Sequence, residues 1–320
     1  MKHPKETQEG RNWDREERER LVMVIFQEMR KYYQPGQDRV ITPDNVYQEG
    51  RSEGREAFEA LMDPLLEPGS AVEGLEHLEQ CLVDLEAGLS ILFLPEHRGN
   101  FDVPTFNNLI KREDPRFGEI LKRMIYIAGR KLNESSDKVK MFTEKYSRLV
   151  IVPRRDYPLA KPEETKAEIK EREAFEHYAA RINRAAFREM LRLRKSGYIF
   201  VLYPLGGRWK IGADNVPVRE TVSYLSRFDR AYLVSMEGNT LPPDERMEEE
   251  LPLPDKVIFR FGAPLDTKAF LAEQQRRFEH ERAQGNLAEP MDTEQYTVNR
   301  IMTMLENLRL TGTYDSQSSP

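Results

Sequence analysis

The sequence predicts an α/β fold in which a mixed central sheet is flanked by helices and preceded by a small helical N-terminal domain. From residue 89 onward, short apolar runs rich in β-branched and aromatic residues alternate with helical segments, whereas earlier patterns are helical. The 320 residues suffice for one large domain, or for one large and one small. We expect a helical domain over 1–75, an α/β domain over 76–311 and a disordered tail over 312–320.

The N-terminal region carries three helical patterns. The first covers residues 12–33 and contains six consecutive apolar residues at 21–26. That run exceeds one amphipathic stripe, so the helix is either buried on most sides or in contact with an apolar partner, and we expect burial. The second and third cover residues 54–66 and 71–87, separated by a Pro-Gly-Ser turn at 68–70.

Six short apolar runs predict the strands of the sheet. They lie at 89–94, 124–127, 149–152, 198–203, 231–236 and 257–261. A long charged segment at 163–195 is predicted as a helix, and a segment at 239–256 with four prolines is predicted as a surface loop. Strands that alternate with helices favour a sheet with helices on its faces.

The composition excludes several classes of protein. A net charge of -6 argues against a general nucleic-acid binder. Cys81 is the only cysteine, which excludes an internal disulfide framework, and its place on a helix predicts a buried, inert thiol. No apolar run approaches the roughly 18 to 20 residues that span a bilayer. We therefore expect a cytoplasmic protein with at most peripheral membrane contact, and we expect no cofactor and no metal.

A histidine and a carboxylate follow the first predicted strand, where α/β sheets bind their ligands. Asp102 could simply cap the helix that begins near Val103. The strand-end position of His97 and the glycine-containing turn after it instead favour function, because an imidazole takes a proton from a hydroxyl while a carboxylate on its other nitrogen fixes the tautomer. No Gly-x-Ser-x-Gly motif supplies a nucleophile, so His97 is predicted to activate a hydroxyl of the substrate itself.

Cations follow three further strands. They could be solvated surface charges, but guanidinium groups suit bidentate binding of phosphate, and a Gly-Gly step permits close backbone approach. No nucleotide-binding P-loop motif is present. We infer a small phosphorylated alcohol as the substrate. The predicted phosphate ligands are Arg154, Arg155, Arg208 and Lys210, with Arg98, Arg130, Lys131, Gly206 and Gly207 as additional candidates.

Together these segments resemble the glycerol-3-phosphate acyltransferase family. The segment HRGNFD at 97–102 is similar to the first block of that superfamily, a histidine and an aspartate with four residues between them. The segments MIYIAGR at 124–130 and LVIVPRR at 149–155 resemble its second region. The segment YPLGGRWK at 203–210 is similar to the third block of the soluble, plastid-type branch. The likeness covers roughly residues 85–240, in the family's order.

The resemblance implies an acyltransferase catalytic domain in which His97 is the general base and Asp102 its partner. The sn-1 hydroxyl of glycerol 3-phosphate would attack an acyl thioester of acyl carrier protein or coenzyme A, giving 1-acylglycerol 3-phosphate. Arg154, Arg155, Arg208 and Lys210 map onto the positions that hold the phosphate. That branch also has a small helical N-terminal domain.

The sequence departs from the plastid-type branch at three places. Leu205 stands where that branch has serine, Lys210 stands where it has arginine, and residues 98–101 look more like those of the membrane-bound bacterial enzymes. Two alternatives therefore stay open. The acceptor could be lysophosphatidate, or the chain could be a non-catalytic phospholipid-binding protein on the same fold.

Overall fold

The structure is a computed structural model, and it describes residues 13–33, 40–134, 137–210, 212–242, 250–287 and 291–314. Most of the predicted tail at 312–320 and the centre of the predicted loop at 239–256 lie outside the described residues.

One mixed sheet runs through the molecule, and within the described residues it has nine strands. They are β1 (Tyr47–Gln48), β2 (Ala71–Glu73), β3 (Ile91–Pro95), β4 (Met124–Gly129), β5 (Arg148–Ile151), β6 (Ile199–Val201), β7 (Arg230–Glu237), β8 (Ile258–Phe261) and β9 (Leu265–Asp266). Their order is β1-β5-β4-β6-β3-β7-β8-β2, and β9 pairs with β7. The five strands from β5 to β7 are parallel, whereas β1, β8 and β9 pair antiparallel with their neighbours β5 and β7. The predicted α/β fold and all six predicted strands are confirmed.

Helices cover both faces of the sheet. They are α1 (Arg15–Lys31), α2 (Arg55–Ala60), α3 (Leu75–Glu86), α4 (Asp102–Glu113), α5 (Gly118–Arg123), α6 (Lys131–Glu134), α7 (Asp137–Thr143), α8 (Lys166–Arg194), α9 (Thr221–Leu225), α10 (Thr267–Ala283) and α11 (Thr293–Thr311). The predicted long charged helix is α8. It begins at a capping box, in which Thr165 accepts the Glu168 N–H and Glu168 accepts the Thr165 N–H.

The central strands are buried on both faces. Along β3, Leu92 and Leu94 point into the apolar core shared with α8 and α11, whereas Ile91 and Phe93 point into the core shared with α3, α4 and α5. Successive side chains of a strand alternate between faces, so a strand covered by helices on both sides is apolar throughout. Each large side chain buried in this way stabilises the fold by roughly 1.5–3 kcal/mol. This core fixes the strand ends from which the site is built.

Two strands come from the predicted helical N-terminal region. β1 pairs with β5, and β2 pairs with β8, so this region contributes to the edges of the sheet. The helix predicted over 71–87 is wrong at its start, because residues 71–73 are the strand β2. Gly74 separates that strand from α3 with φ of 76°, and a Cβ there would lie 2.3 Å from the carbonyl oxygen of Phe261. The domain boundary at residue 75 stays a prediction.

The first helix is less buried than predicted. Ile25 and Met29 are each 1% exposed, but Met23 is 61% exposed and Val24 is 43% exposed. Burial of the whole apolar run would require contacts on more than one helix face, and α1 packs through one face against α2 and α7. The expectation of burial on most sides is therefore wrong.

The N-terminal helices hold α4 in place. Glu59 on α2 is 2% exposed, and its carboxylate accepts hydrogen bonds from Asn107 at 2.8 Å and Lys111 at 2.7 Å, both on α4. Phe101, just before α4, packs in an apolar cluster with Ile25 and Phe58. A buried charge is tolerated where it is paired and hydrogen-bonded. These contacts fix the helix whose first residue is Asp102.

Candidate active site

His97 and Tyr203 follow neighbouring parallel strands. β3 and β6 pair with Phe93 opposite Val201, so the segments that leave their carboxyl ends emerge side by side. The His97 and Tyr203 rings stack there, with centroids 4.2 Å apart and planes inclined by 22°. The stack restrains the plane of the imidazole.

Asp102 is the hydrogen-bond partner of His97. Its Oδ2 lies 2.9 Å from His97 Nδ1, and the backbone N–H groups of Arg98 and Gly99 donate to the same carboxylate at 2.6 and 2.9 Å. Asp102 is 4% exposed. A carboxylate at Nδ1 assigns the proton of a neutral imidazole to that nitrogen, and Nε2 then presents its lone pair. The structure thus brings together the two residues that the sequence singled out.

The capping alternative for Asp102 does not describe what its side chain does. α4 begins at Asp102 itself, after Phe101. The hydrogen bonds of the carboxylate go back to the preceding loop, whereas the side chain of a helix cap bonds forward to the first turn.

Gly99 allows a close approach between this loop and the segment after β7. A Cβ at Gly99 would lie 2.4 Å from Asn239 Oδ1. Asn239 Nδ2 donates to the Arg98 carbonyl at 3.1 Å, and Asn239 Oδ1 accepts the Leu241 N–H at 2.9 Å. Only glycine fits this contact, which ties the histidine loop to the segment beginning at residue 239.

The YPLGGRWK segment lies against the HRGNFD segment. The Trp209 N–H donates to the His97 carbonyl at 2.8 Å. Gly206 has φ of 63°, in the left-handed region, and a Cβ there would lie 2.7 Å from Val218 Cγ2. The guanidinium of Arg155 donates to the Gly206 carbonyl. The structure therefore places the Arg155 guanidinium against the loop that carries Arg208.

Arg208 is paired with a carboxylate. Its guanidinium donates to Glu250 Oε1, and Glu250 Oε2 accepts a hydrogen bond from Asn100 Nδ2 at 2.9 Å. The two charged side chains are 24% and 16% exposed. Because Asn100 belongs to the HRGNFD segment, this contact brings Arg208 beside the histidine loop.

The other predicted phosphate ligands make contacts of their own. Arg154 is 79% exposed and lies 3.7 Å from Glu220. Lys210 is exposed, and its backbone N–H donates to Asn215. Arg130 donates two hydrogen bonds to Glu134, and Lys131 lies 2.7 Å from Asp156. Of the four first candidates, the structure brings Arg155 and Arg208 to one loop.

Two titratable groups flank His97. Burial raises the pKa of the Tyr203 hydroxyl well above its usual value, so the phenol stays protonated beside the imidazole. Burial also raises the pKa of Glu96, and the positive charge of Arg98 together with the N–H of Met236 offsets part of that rise. Glu96 Oε2 accepts the Met236 N–H at 2.9 Å, which makes it a link between β3 and β7.

The segment at 239–256 differs from the predicted surface loop. In its described parts, Thr240, Leu241, Pro252 and Pro254 are buried. Arg18 on α1 donates to the carbonyls of Leu251 and Pro252 at 2.8 and 2.9 Å. The composition predicted exposure, but Arg18 holds residues 251 and 252, and the Leu253 N–H donates to the Thr240 carbonyl, which joins the two described ends.

Sequence reasoning missed Tyr203, Asn239 and Glu250 as site residues. The position of Tyr203 at the end of a predicted strand was a usable signal, because parallel strands deliver their ends to one edge. For Asn239 and Glu250 the sequence carried no such signal.

Three further observations concern the whole described chain. Cys81 is a buried free thiol, as predicted, and burial raises its pKa above the ordinary value. Among the described residues, no group of three or more His, Cys, Asp or Glu side chains could hold a metal ion. None of the described helices is both long and apolar enough to cross a membrane.

No family model matches the chain, and no curated protein matches it. Among solved structures, the chain is similar to the 1-acyl-sn-glycerophosphate (LPA) acyltransferase PlsC from Thermotoga maritima. The identity is 13%, the alignment covers 91% of this chain and 88% of that chain, and the TM-score is 0.41.

Proposed function

We propose that the chain is an acyltransferase that moves an acyl group from a thioester donor to the sn-1 hydroxyl of glycerol 3-phosphate. The observation that carries the proposal is the 2.9 Å contact between His97 Nδ1 and Asp102 Oδ2, at the carboxyl ends of parallel strands. It leaves Nε2 as a proton acceptor on a ring held by Tyr203. A protein that only binds phospholipid has no need of an oriented base.

The proposed reaction uses that geometry. His97 Nε2 takes the proton of the acceptor hydroxyl as its oxygen attacks the thioester carbonyl carbon. The new C–O bond forms, the C–S bond breaks, and the thiolate leaves with the proton that the imidazolium returns. Asp102 stabilises the imidazolium between the two proton transfers.

The acceptor's phosphate is proposed to bind at the loop formed by residues 203–210. Arg155 and Arg208 both contact this loop or extend from it, and the Trp209 N–H joins it to His97. Charge-assisted hydrogen bonds from guanidinium groups contribute roughly 1.5–3 kcal/mol each. Arg154 and Lys210, which are exposed, complete the proposed phosphate site.

Glycerol 3-phosphate is proposed as the acceptor because the YPLGGRWK segment resembles the third block of the soluble branch. The test is a matrix of purified protein against acyl carrier protein and coenzyme A thioesters, each with glycerol 3-phosphate or lysophosphatidate, read out as product mass. We expect 1-acylglycerol 3-phosphate as the main product. If product forms only with lysophosphatidate, that molecule is the acceptor instead of glycerol 3-phosphate. If no pair gives product, the proposed acyltransferase activity is contradicted.

A further inference from the structure

The proposed phosphate site already holds an anion supplied by the chain itself. The two oxygens of Glu250 bind different donors: Oε1 accepts from the guanidinium of Arg208, which belongs to the proposed phosphate site, and Oε2 accepts from Asn100 Nδ2 at 2.9 Å. Asn100 lies in the HRGNFD segment and Arg208 in the YPLGGRWK segment. The carboxylate thus engages the same guanidinium to which the proposed function assigns the acceptor's phosphate.

Glu250 is held there from outside the site. Directly after it, the carbonyls of Leu251 and Pro252 accept hydrogen bonds from Arg18 on α1 at 2.8 and 2.9 Å. The Leu253 N–H donates to the Thr240 carbonyl at 2.9 Å. A carboxylate tethered next to its partner competes at a high effective concentration.

We propose that Glu250 is an intramolecular competitor of the acceptor's phosphate, displaced from Arg208 and Asn100 when the acceptor binds. This inference rests on the proposed function, because it takes the phosphate-binding role of Arg208 from it. A phosphate monoester carries up to two negative charges and more acceptor oxygens than a carboxylate, so it can displace Glu250 at sufficient concentration. A neutral hydroxylated molecule cannot, and the competitor therefore selects for anionic acceptors.

The size of the effect follows from the population of the site. If Glu250 occupies Arg208 in about nine molecules of ten, the apparent dissociation constant of the acceptor is about tenfold higher than the intrinsic one. Glu250→Gln keeps the shape and the hydrogen-bonding oxygen but removes the charge. It should lower the apparent dissociation constant by about three- to tenfold.

The test measures binding separately from activity. Isothermal titration calorimetry with glycerol 3-phosphate compares His97→Ala with His97→Ala/Glu250→Gln, and inorganic phosphate serves as a second probe for the phosphate group alone. Glu164→Gln is the matched control. Glu164, just before α8, forms an ion pair with Arg172 on that helix, and the two side chains are 10% and 21% exposed, similar to Glu250 and Arg208. The proposal expects both probes to bind more tightly only in the Glu250→Gln protein.

Unchanged or weaker binding in the Glu250→Gln protein would overturn the proposal, since Glu250 would then only hold Arg208 in place. Acyl transfer by the wild type, measured separately, reports on the proposed function. If the wild type is active but Glu250→Gln leaves binding unchanged, only the proposal that Glu250 competes is contradicted. If no variant binds glycerol 3-phosphate, both proposals are contradicted: that Glu250 competes with the acceptor, and that glycerol 3-phosphate is the acceptor. In the protein with His97 intact, Glu250→Gln should lower the acceptor KM and leave the donor KM within about twofold.

Discussion

The site has a catalytic end around His97 and a phosphate end around Arg208. The contacts that form these two ends join residues at very different separations along the chain. His97 and Asp102 are five positions apart and are joined through one turn and the start of one helix. Arg208 meets Glu250 across 42 positions, and Asn100 meets Glu250 across 150. A local contact can be inferred from spacing, whereas a contact between distant segments depends on how the whole chain packs.

The two ends also differ in chemistry. At His97 the neighbours are an aromatic ring, a buried carboxylate and backbone N–H groups, which suits proton transfer in one orientation. At Arg208 an ion pair occupies the position proposed for the substrate's phosphate. Changes at the first end should therefore lower kcat, and changes at the second should alter the acceptor KM.

The largest effect is expected at His97. His97→Ala should lower kcat by a factor on the order of 100 or more, because the base is lost while the fold is kept. His177→Ala, an exposed histidine on α8, is the control and should leave kcat unchanged. If His97→Ala keeps near wild-type turnover, His97 is not the general base.

The next effect is expected at Arg208. Arg208→Ala should raise the acceptor KM by about tenfold and leave the donor KM within a few-fold, because a planar bidentate donor is lost. Arg208→Lys should recover only part of the loss. A defect in the donor KM would break the division between the two ends, since the arginine would then serve the carrier.

Tyr203 should have a smaller effect. Tyr203→Leu removes the stack that restrains His97 and should lower kcat about two- to tenfold, in line with the roughly 0.5–1.5 kcal/mol of an aromatic pair. Tyr203→Phe keeps the ring and should retain most of the activity. A rise in the acceptor KM without a change in kcat would place Tyr203 at the phosphate end.

Glu96 should affect stability. Because burial raises its folded-state pKa, the favourable contribution of the protonated carboxyl is fully present below the unfolded-state pKa and is lost as the pH rises through the folded-state value. Glu96→Gln should therefore be more stable than the wild type at about pH 7, and the difference should vanish near about pH 4. Denaturant unfolding at both pH values measures it, and a difference that grows in acid would contradict the assignment.

The sheet could be predicted because its central strands are apolar on both faces and bounded by clear turns, as at β3 and β6. The short edge strands could not. β2 has three residues in an otherwise helical pattern, and its pairing with β8 decides its conformation. Tertiary contacts outweigh local propensity in so short a segment.

The candidate site could be predicted in the same uneven way. The strand-end position and spacing of His97 and Asp102 were enough to predict that their side chains lie together. The partner of Arg208 was not predictable, because the composition of an acidic, proline-rich segment predicts solvent exposure. The contacts of Arg18 and Asn100 that hold this segment join residues far apart in the sequence.

The most direct test of the account is the release of free thiol from an acyl thioester by the wild-type protein, with and without glycerol 3-phosphate. If His97 activates a hydroxyl of the acceptor, thiol release should require glycerol 3-phosphate and should equal the amount of acylglycerol phosphate formed. Release at the same rate without any acceptor would show that water is the nucleophile. That result would contradict the proposed acyl transfer.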